Sequence, residues 1–311
     1  MVSLPPLLLI VGPTGVGKTA VAALLAASVP MEVVSADSRQ VYRGMDTATG
    51  KPTDGERKAV RHHLLDVIEP GQRYDAARFR VDATRAIEAI RAAGRLPAVV
   101  GGTGLYVRAL VRGLDPGPPA DPALRAQLEE AARTSGPAAL HERLRALDPD
   151  RAARLHPNDQ VRIIRAIEKH GRGTPSAGGW ARATTPWHVV MFGLRRERAA
   201  LNRDLEERAR SMVAGGMMDE VRRLLAGGHD ETAPGMAGIG YRQWAQVARG
   251  RMTEDEALRL MVRDTQRYAK RQMTWFAREP DVRWLDVDEV GGVEGAAESI
   301  HKHILREGWI A

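Results

Sequence analysis

Short apolar runs alternate with helix-patterned segments along the first third of the chain. Four runs dominated by apolar residues predict strands, at residues 7–12, 32–36, 63–68 and 96–101. Helices are predicted between them at residues 18–28 and 74–93, and the second of these repeats its apolar positions with helical spacing. Strands that alternate with helices pair in parallel and carry helices on both faces of the sheet. The pattern therefore predicts an α/β core.

The pattern changes after this first third. A Gly/Pro-rich stretch at 113–122 precedes strand-free, helix-patterned sequence that extends to about residue 170, and a second break covers 171–186. Further elements are predicted after that break: a strand at 188–194, helices at 196–226 and 263–278, a strand at 282–287, and a terminal helix after an acidic loop at 288–295. The economical interpretation is one core, residues 1–120 and 185–311, interrupted by an all-helical insertion domain at 121–184.

Composition describes an ordinary soluble globular chain. Of its 311 residues, 43% are hydrophobic and 27% are charged. The absence of cysteine excludes disulfides, thiolate catalysis and Cys-ligated zinc. No basic leader precedes the apolar stretch at 7–11, which is too short to span a bilayer. We therefore expect a cytoplasmic protein without a membrane partner, and nothing in the sequence demands more than a monomer.

The net charge leaves two interpretations open. Lys and Arg total 46 against 39 Asp and Glu, which gives +7 at pH 7. Such a balance suits a polyanionic partner such as nucleic acid. The positive charge is nearly all Arg, however, and Ala and Gly are abundant, which a GC-rich genome would also produce. The positions of the arginines matter more than their total.

A glycine-rich motif follows the first predicted strand. Its residues match GxxxxGK[ST]: Gly12, Pro13, Thr14, Gly15, Val16, Gly17, Lys18 and Thr19. In this strand–loop–helix context, backbone N–H groups converge on phosphate oxygens, Lys18 reaches the terminal phosphate and Thr19 holds Mg²⁺. A glycine turn without a ligand is the alternative. The fold class predicted is α/β, with a P-loop NTPase-like parallel sheet, helices on both of its faces and the helical insertion domain.

The carboxylate that ATP-using P-loop enzymes carry on a later strand is missing. The run at 96–101 continues into Gly-Thr-Gly-Leu-Tyr, whereas the run at 32–36 is followed by Asp37, Ser38, Arg39 and Gln40. At the carboxyl ends of parallel strands, this cluster and Thr103 face the same crevice as the phosphate loop. Two alternatives stay open: Asp37 as a helix cap, and the glycines at 101–104 as packing residues.

These motifs together resemble the tRNA dimethylallyltransferase family. The matching segments, in chain order, are GPTGVGKT at 12–19, SADSRQVYRGMD at 35–46, KP at 51–52, HHLLDV at 62–67, VVGGTGLYVRAL at 99–110, DPDRAARLHPNDQVRIIRAIE at 148–168, GIGYRQ at 238–243 and AKRQMTWF at 269–276. The resemblance implies transfer of a dimethylallyl group from its diphosphate to N6 of the adenosine just 3′ of the anticodon, in tRNAs that read codons beginning with U. The phosphate loop would then hold the donor's diphosphate rather than ATP, with Mg²⁺ as cofactor and the tRNA anticodon stem-loop as partner.

The resemblance also implies roles for individual residues. Asp37 would be the base at the N6 amine, Thr103 would lie at the reaction centre, and Lys18 and Arg208 would hold the diphosphate, with Arg203 as the alternative to Arg208. tRNA contacts would come from Asp37, Ser38, Arg39, Gln40, Thr103, Arg125, Val161, Arg162, Ile163, Ile164 and Arg165. The segments 47–52 and 171–186 match the family less closely, which we expect to affect the insertion hinge more than the chemistry.

The last matching motif adds two candidate tRNA contacts. Lys270 and Arg271 lie close to Trp275 and Phe276, a basic-plus-aromatic spacing that suits RNA, although the two aromatic residues could simply belong to the core. Two rival functions remain at this point. One is a P-loop small-molecule kinase with a helical lid, and the other is a non-catalytic RNA-binding protein.

Overall fold

One parallel sheet organises the larger part of the molecule. The computed structural model describes residues 4–114, 121–171 and 185–310. Within these ranges the strands are β1 (Pro6–Val11), β2 (Met31–Ser35), β3 (His62–His63), β4 (Leu96–Gly101), β5 (His188–Arg195) and β6 (Val282–Asp286). They form a six-stranded sheet in the order β3-β2-β4-β1-β5-β6, and every neighbouring pair is parallel.

Helices flank this sheet or build the second unit of the chain. In chain order they are α1 (Lys18–Leu25), α2 (Asp54–Ala59), α3 (Ala76–Ala92), α4 (Gly104–Arg112), α5 (Pro122–Leu147), α6 (Pro149–Ala152), α7 (Gln160–His170), α8 (Arg198–Ala214), α9 (Met217–Ala226), α10 (Tyr241–Ala248), α11 (Glu254–Phe276) and α12 (Gly292–Arg306). None of the helices in the described ranges is long and apolar enough to cross a membrane.

The two central strands are buried on both faces, which explains their uninterrupted apolar sequences. Residues 7–11 of β1 and all of β4 are buried. Side chains of one face, such as Leu8 and Ile10, share a hydrophobic cluster with Val21 and Leu25 of α1 and with Ile300 of α12. Because all strands are parallel, the loops that follow β1, β2 and β4 emerge at the same edge of the sheet. That edge carries the residues that the sequence singled out.

The predicted strand at 63–68 is wrong for most of its length. Only His62 and His63 pair with β2, and the chain then turns because Leu64 and Asp66 adopt left-handed φ angles of 64° and 55°. Residues 66–68 hydrogen-bond instead to the loop after β2, with Val67 N donating to Val41 O at 2.8 Å. An apolar run alone does not reveal such a turn.

Several helix predictions also need correction. The helix predicted at 196–226 is two helices, α8 and α9, because the chain turns at Gly215 and Gly216, the latter with φ 100°. The helix predicted at 263–278 begins much earlier, at Glu254. Helices α2, α4 and α10 were not predicted at all. Those at 18–28 and 74–93, the terminal helix and the remaining strands agree with the structure to within a few residues.

The chain divides into two compact units. One comprises Met1–Arg112 and Ala183–Ala311 and holds the sheet, and the other is Gly113–Arg182. In the second unit, α5, α6 and α7 surround a core that includes Leu128, Leu144 and Ile163, and α5 is interrupted at Gly136, where φ is 78°. Most of the predicted hinges at 113–122 and 171–186 lies outside the described residues.

Candidate active site

The phosphate loop joins β1 to α1 with a backbone that requires glycine at two positions. Gly12 has φ 142°, and a Cβ there would lie 2.5 Å from the carbonyl oxygen of Leu194 in β5. Gly17, with φ 97°, caps α1 without any side-chain hydrogen bond to the helix. The first N–H groups of α1 are therefore not satisfied by a capping side chain, and a helix N-terminus in this state attracts anions.

A cavity of about 290 Å³ opens at this loop. Its walls come from six segments of the chain: the phosphate loop, the loop after β2, residues 49–56, and parts of β4, α8 and α11. The polar residues lining it are Thr14, Lys18, Thr19, Asp37, Gln40, Thr49, Lys51, Thr53, Glu56, Arg208 and Gln272. The two candidate cations, Lys18 and Arg208, thus share one cavity with the candidate base, Asp37.

Burial disfavours the charged forms of both cations more than the nearby carboxylates favour them. Burial lowers the pKa of Lys18 to about 8, which Asp37 partly opposes and Arg208 reinforces. Burial likewise lowers the pKa of Arg208, opposed by Asp37 and Glu56. Lys18 Nζ donates to Pro13 O at 2.6 Å, so its ammonium is held against the loop. Two half-buried cations with depressed pKa values form a site that an anionic ligand would stabilise.

Asp37 is held by its own loop. Its Oδ1 accepts hydrogen bonds from the N–H groups of Arg39, at 2.7 Å, and Gln40, at 3.3 Å. Its Oδ2 accepts none from the residues that the structure describes, and Asp37 lines the cavity. The alternative that Asp37 caps a helix is wrong, because turns follow it and the next helix is α2, at Asp54.

Thr103 fastens the Asp37 loop to the loop after β4. Its N–H donates to Ala36 O and its Oγ1 accepts from Ser38 N, both at 3.1 Å. Tyr268 of α11 lies beside Thr103, and burial, with the charge of Asp37, raises the pKa of Tyr268 to about 12. Its phenol therefore stays protonated at neutral pH. The glycine at 101 does serve close packing, since a Cβ there would lie 2.2 Å from Ala36 O.

The segment 49–56 lines the cavity, which corrects our expectation that variation at 47–52 affects the hinge. The carbonyl oxygen of Gly50 accepts from Gln40 Nε2 at 2.9 Å. A Cβ at Gly50 would lie 2.0 Å from a guanidinium nitrogen of Arg208. The buried Lys51 is paired with Asp46 and Asp66. The capping box of Thr53 and Glu56 was the sequence signal for α2, and it was overlooked.

Sequence reasoning also missed Gln272, although its helix belongs to a matching motif. Gln272 is 5% exposed and lines the cavity. Its Oε1 accepts from Thr14 N at 2.8 Å and its Nε2 donates to Gly102 O at 3.0 Å. Because 258 residues separate Gln272 from Thr14, no spacing in the sequence could have shown this contact.

The candidate diphosphate arginines differ in position. Arg208 lines the cavity, whereas Arg203 is exposed and does not. Ser38 and Arg39 are not among the residues that line the cavity, and the Arg39 guanidinium donates to Pro234 O at 2.9 Å. Lys270 and Arg271 are exposed on α11. Of the aromatic residues beside them, Phe276 is buried in the core and Trp275 packs beneath the Arg108 guanidinium, 4.7 Å from the ring centre.

The candidate tRNA residues of the second unit fall into two groups. Arg125 pairs with Glu168 through two bonds of 3.1 and 2.9 Å, and Arg165 joins it at 3.2 Å. Burial opposes the charge on Glu168, but its bonds to these arginines prevail and lower its pKa. Val161 is 81% exposed. Arg162 is also exposed.

Two residues of the same stretch need correction. The side chains of Ile163 and Ile164 are 0% and 5% exposed and pack in the core of the second unit. Their buried side chains are not available to an RNA ligand. The helical period explains this, since α7 turns its apolar positions inward and leaves Val161, Arg162 and Arg165 on other faces.

The donor set of the cavity fits a hard cation. No cluster of three or more His, Asp or Glu side chains suited to a metal occurs within residues 4–114, 121–171 and 185–310. The cavity does present oxygen groups, namely the Thr19 hydroxyl and the carboxylates of Asp37 and Glu56. Mg²⁺ is commonly held by one or two protein oxygens together with phosphate oxygens and water.

The parallel sheet, the helices that flank it and the glycine-rich loop after the central strand β1 define a P-loop NTPase-like α/β fold. The family model "IPP transferase" matches residues 40–279, and "Isopentenyl transferase" matches residues 5–71. The chain belongs to the IPP transferase family and is a group-transfer enzyme, which confirms the predicted fold class and family.

Individual relatives agree with this assignment. Proteins named tRNA dimethylallyltransferase from Syntrophobacter fumaroxidans and Thermomicrobium roseum are each 46% identical, over 93% and 97% of this chain and 85% and 92% of theirs. The structure of a tRNA isopentenylpyrophosphate transferase from Bacillus halodurans matches with a TM-score of 0.70 at 38% identity, covering 96% of this chain and 95% of that one. A similar enzyme from Staphylococcus epidermidis matches with a TM-score of 0.72 at 29% identity, covering 97% and 99%.

Proposed function

We propose that this enzyme transfers a dimethylallyl group from dimethylallyl diphosphate to N6 of the adenosine immediately 3′ of the anticodon, in tRNAs that read codons beginning with U, and releases diphosphate. The observation that carries the proposal is one cavity lined by two half-buried cations, Lys18 and Arg208, and by the carboxylate of Asp37. A diphosphate needs the cations, and an amine nucleophile needs the carboxylate. The identity of the two substrates is inferred from the names of the relatives.

Asp37 is suited to act as the base. The lone pair of an adenine N6 amine is delocalised into the ring, which makes the amine a poor nucleophile. The Oδ2 of Asp37 can accept a hydrogen bond from the amine and take its proton as the new C–N bond forms. The bonds from Arg39 N and Gln40 N to Oδ1 hold the carboxylate in place during this step.

Lys18, Arg208 and the N–H groups of the phosphate loop are suited to stabilise the leaving group. As the C–O bond of the donor breaks, negative charge grows on the diphosphate while positive charge spreads over the allylic carbons. Preorganised cations aimed at developing negative charge stabilise it, and they do so more strongly where water is excluded. The bond that breaks lies on carbon rather than on phosphorus, so parts typical of phosphoryl transfer serve an alkyl transfer here.

Mg²⁺ fits this scheme as the cofactor. The Thr19 hydroxyl would hold it together with phosphate oxygens of the donor. When bound, the ion would neutralise part of the diphosphate charge.

The tRNA must present an unstacked adenine to this cavity. Flipping a base out of the anticodon loop costs roughly a few kcal/mol. Phosphate contacts from exposed basic residues can offset that cost, and Lys270, Arg271 and Arg162 offer such side chains. Arg125 and Arg165 are partly exposed, so each can also contact a tRNA phosphate while it remains paired with Glu168. Since one chain supplies every group named here, we expect a monomer, and its tRNA substrate implies action in the cytoplasm.

A P-loop small-molecule kinase with a helical lid is not favoured. The matching relatives are named tRNA dimethylallyltransferase or tRNA isopentenylpyrophosphate transferase, and the match covers most of their lengths. The Asp37 loop also places a carboxylate at the cavity, where a base for an amine is needed.

The proposal is tested with dimethylallyl diphosphate labelled in its allyl carbons and unmodified tRNA. Label is expected in the RNA, and it should be lost when the adenosine 3′ of the anticodon is replaced by guanosine. ATP with labelled γ-phosphate serves as the competing donor. Absence of label from the allyl donor, with transfer from ATP, would contradict the proposal and restore the kinase.

A further inference from the structure

One face of α11 lies against the phosphate loop and the loop after β4, and the latter is joined to the Asp37 loop. Tyr268 lies beside Thr103, whose Oγ1 accepts a hydrogen bond from Ser38 N, next to Asp37. One helical turn later, Gln272 contacts Thr14 of the phosphate loop and Gly102 of the loop after β4. Residues four apart lie on the same side of a helix. The helix therefore spans the side of the cavity suited to the nucleophile and the side suited to the leaving group.

We propose that Gln272 is a positioning residue, which fixes the distance between the phosphate loop and the Asp37 loop. The inference rests on the proposed function and deepens it by assigning a role at the same site. The side chain is 5% exposed and uses both ends of its carboxamide. A group that only donated or only accepted could not satisfy both partners.

The surroundings of Gln272 are shaped to that carboxamide. A Cβ at Gly102 would lie 2.1 Å from Gln272 Nε2, so the glycine leaves room for the amide nitrogen. The loop that carries Gly102 is fastened to the Asp37 loop by the bond from Ala36 N to Val100 O, at 2.8 Å, and by Thr103 N to Ala36 O. A shift at Gln272 would therefore reach the phosphate loop directly and the base through one intervening loop.

Loss of this contact should lower turnover more than substrate binding. Misplacing a reacting group by about 1 Å can cost on the order of a hundredfold in rate. The cations and the exposed basic residues, which carry the binding, do not depend on the carboxamide. We expect Gln272→Met, which keeps the length of the side chain, to lower kcat by roughly ten- to a hundredfold while KM for tRNA changes less than about threefold.

A second glutamine on α11 provides the matched control. Gln266 is half-buried, and its Nε2 donates to Asn202 O of α8 at 3.3 Å. It does not line the cavity. Gln266→Met makes the same chemical change in the same helix, and we expect wild-type turnover from it.

Gln272→Glu gives a readout that a purely structural role would not produce. An ionised carboxylate cannot donate to Gly102 O, and burial beside that oxygen raises its pKa. The protonated acid restores both bonds. The activity of Gln272→Glu relative to wild type should therefore rise as the pH is lowered from about 8 to about 6.

The experiment compares kcat and KM of the wild type, Gln272→Met, Gln272→Glu and Gln266→Met in labelled dimethylallyl transfer to tRNA, with thermal unfolding measured in parallel. A kcat loss confined to the Gln272 variants, with acid recovery of Gln272→Glu, supports the inference. Equal turnover of Gln272→Met and wild type would overturn it, as would a loss that follows the melting temperature. An inactive wild type would refute the proposed function instead, so the two failures are distinguishable.

Discussion

At the scale of single residues, Asp37 carries the most specific claim. Asp37→Asn keeps an oxygen that can accept from Arg39 N and Gln40 N, so the loop should stay folded. The amide cannot accept the proton of the N6 amine. We expect kcat to fall by roughly 10²- to 10⁴-fold, the range typical of a lost general base.

The control for this substitution is tRNA affinity, measured by filter binding with the same preparation. It should change little, because the amide preserves the loop. An equal loss of turnover and of affinity would show that Asp37 binds tRNA rather than accepting a proton.

Lys18 gives the cavity a pH dependence. Burial lowers its pKa to about 8, and an anionic ligand binds its protonated form. Affinity for inorganic diphosphate should therefore be level below about pH 8 and weaken above it, by up to about tenfold per pH unit. Titration calorimetry between about pH 7 and about pH 9 measures this.

Lys18→Met is the matched variant, since it removes the titrating group. Its affinity should be weaker and should lack the fall above about pH 8 that the titration of Lys18 produces in the wild type. If the affinity of the wild type for diphosphate did not change with pH, the assignment of Lys18 to the diphosphate site would be contradicted.

At the scale of elements, Gly50 shows how a loop positions an arginine of another helix. Gly50 and Gly44 have similar φ angles, 60° and 65°, so alanine at either position costs roughly 1–2 kcal/mol of unfolding free energy. A Cβ at Gly50 also collides with Arg208, whereas one at Gly44 meets no atom within 4 Å. We expect the two alanine variants to lose similar stability, and only Gly50→Ala to lose diphosphate affinity.

Chemical denaturation and calorimetry on the two variants separate these effects. Should Gly44→Ala weaken diphosphate binding as much as Gly50→Ala, general destabilisation would explain both. Arg208 would then need no support from the 49–56 segment.

The same elements show how far sequence could predict structure. The phosphate loop and the central strands could be predicted, because a motif and a buried apolar run each consist of residues that are neighbours in the sequence. The strand at 63–68 failed because left-handed turns at Leu64 and Asp66 leave no trace in an apolar pattern. Gln272 was missed because its partners come from distant segments, and only the folded sheet brings them together.

At the scale of the whole molecule, the net charge of +7 can contribute to tRNA binding only through arginines that face solvent. Arg162 in the second unit is exposed and forms an ion pair with Asp159, three residues earlier. If it contacts a tRNA phosphate, Arg162→Gln should weaken binding and reduce the slope of log K against log salt by about 0.7 to 0.9.

Arg222 on α9 is its matched control. It is similarly exposed and similarly paired, with Asp219 three residues earlier, but it belongs to the other unit. Salt titrations of tRNA binding should show no change in slope for Arg222→Gln. Identical slopes for both variants would remove Arg162 from the tRNA contacts.

The central claim, that a P-loop cavity here supports breakage of a carbon–oxygen bond, is tested most directly with a doubly labelled donor. The enzyme is given dimethylallyl diphosphate labelled in both its allyl carbons and its phosphorus, with unmodified tRNA. We predict carbon label on the adenosine 3′ of the anticodon and phosphorus label released as intact diphosphate, in equal amounts. Phosphorus label in the RNA, or diphosphate released without carbon transfer, would contradict the account.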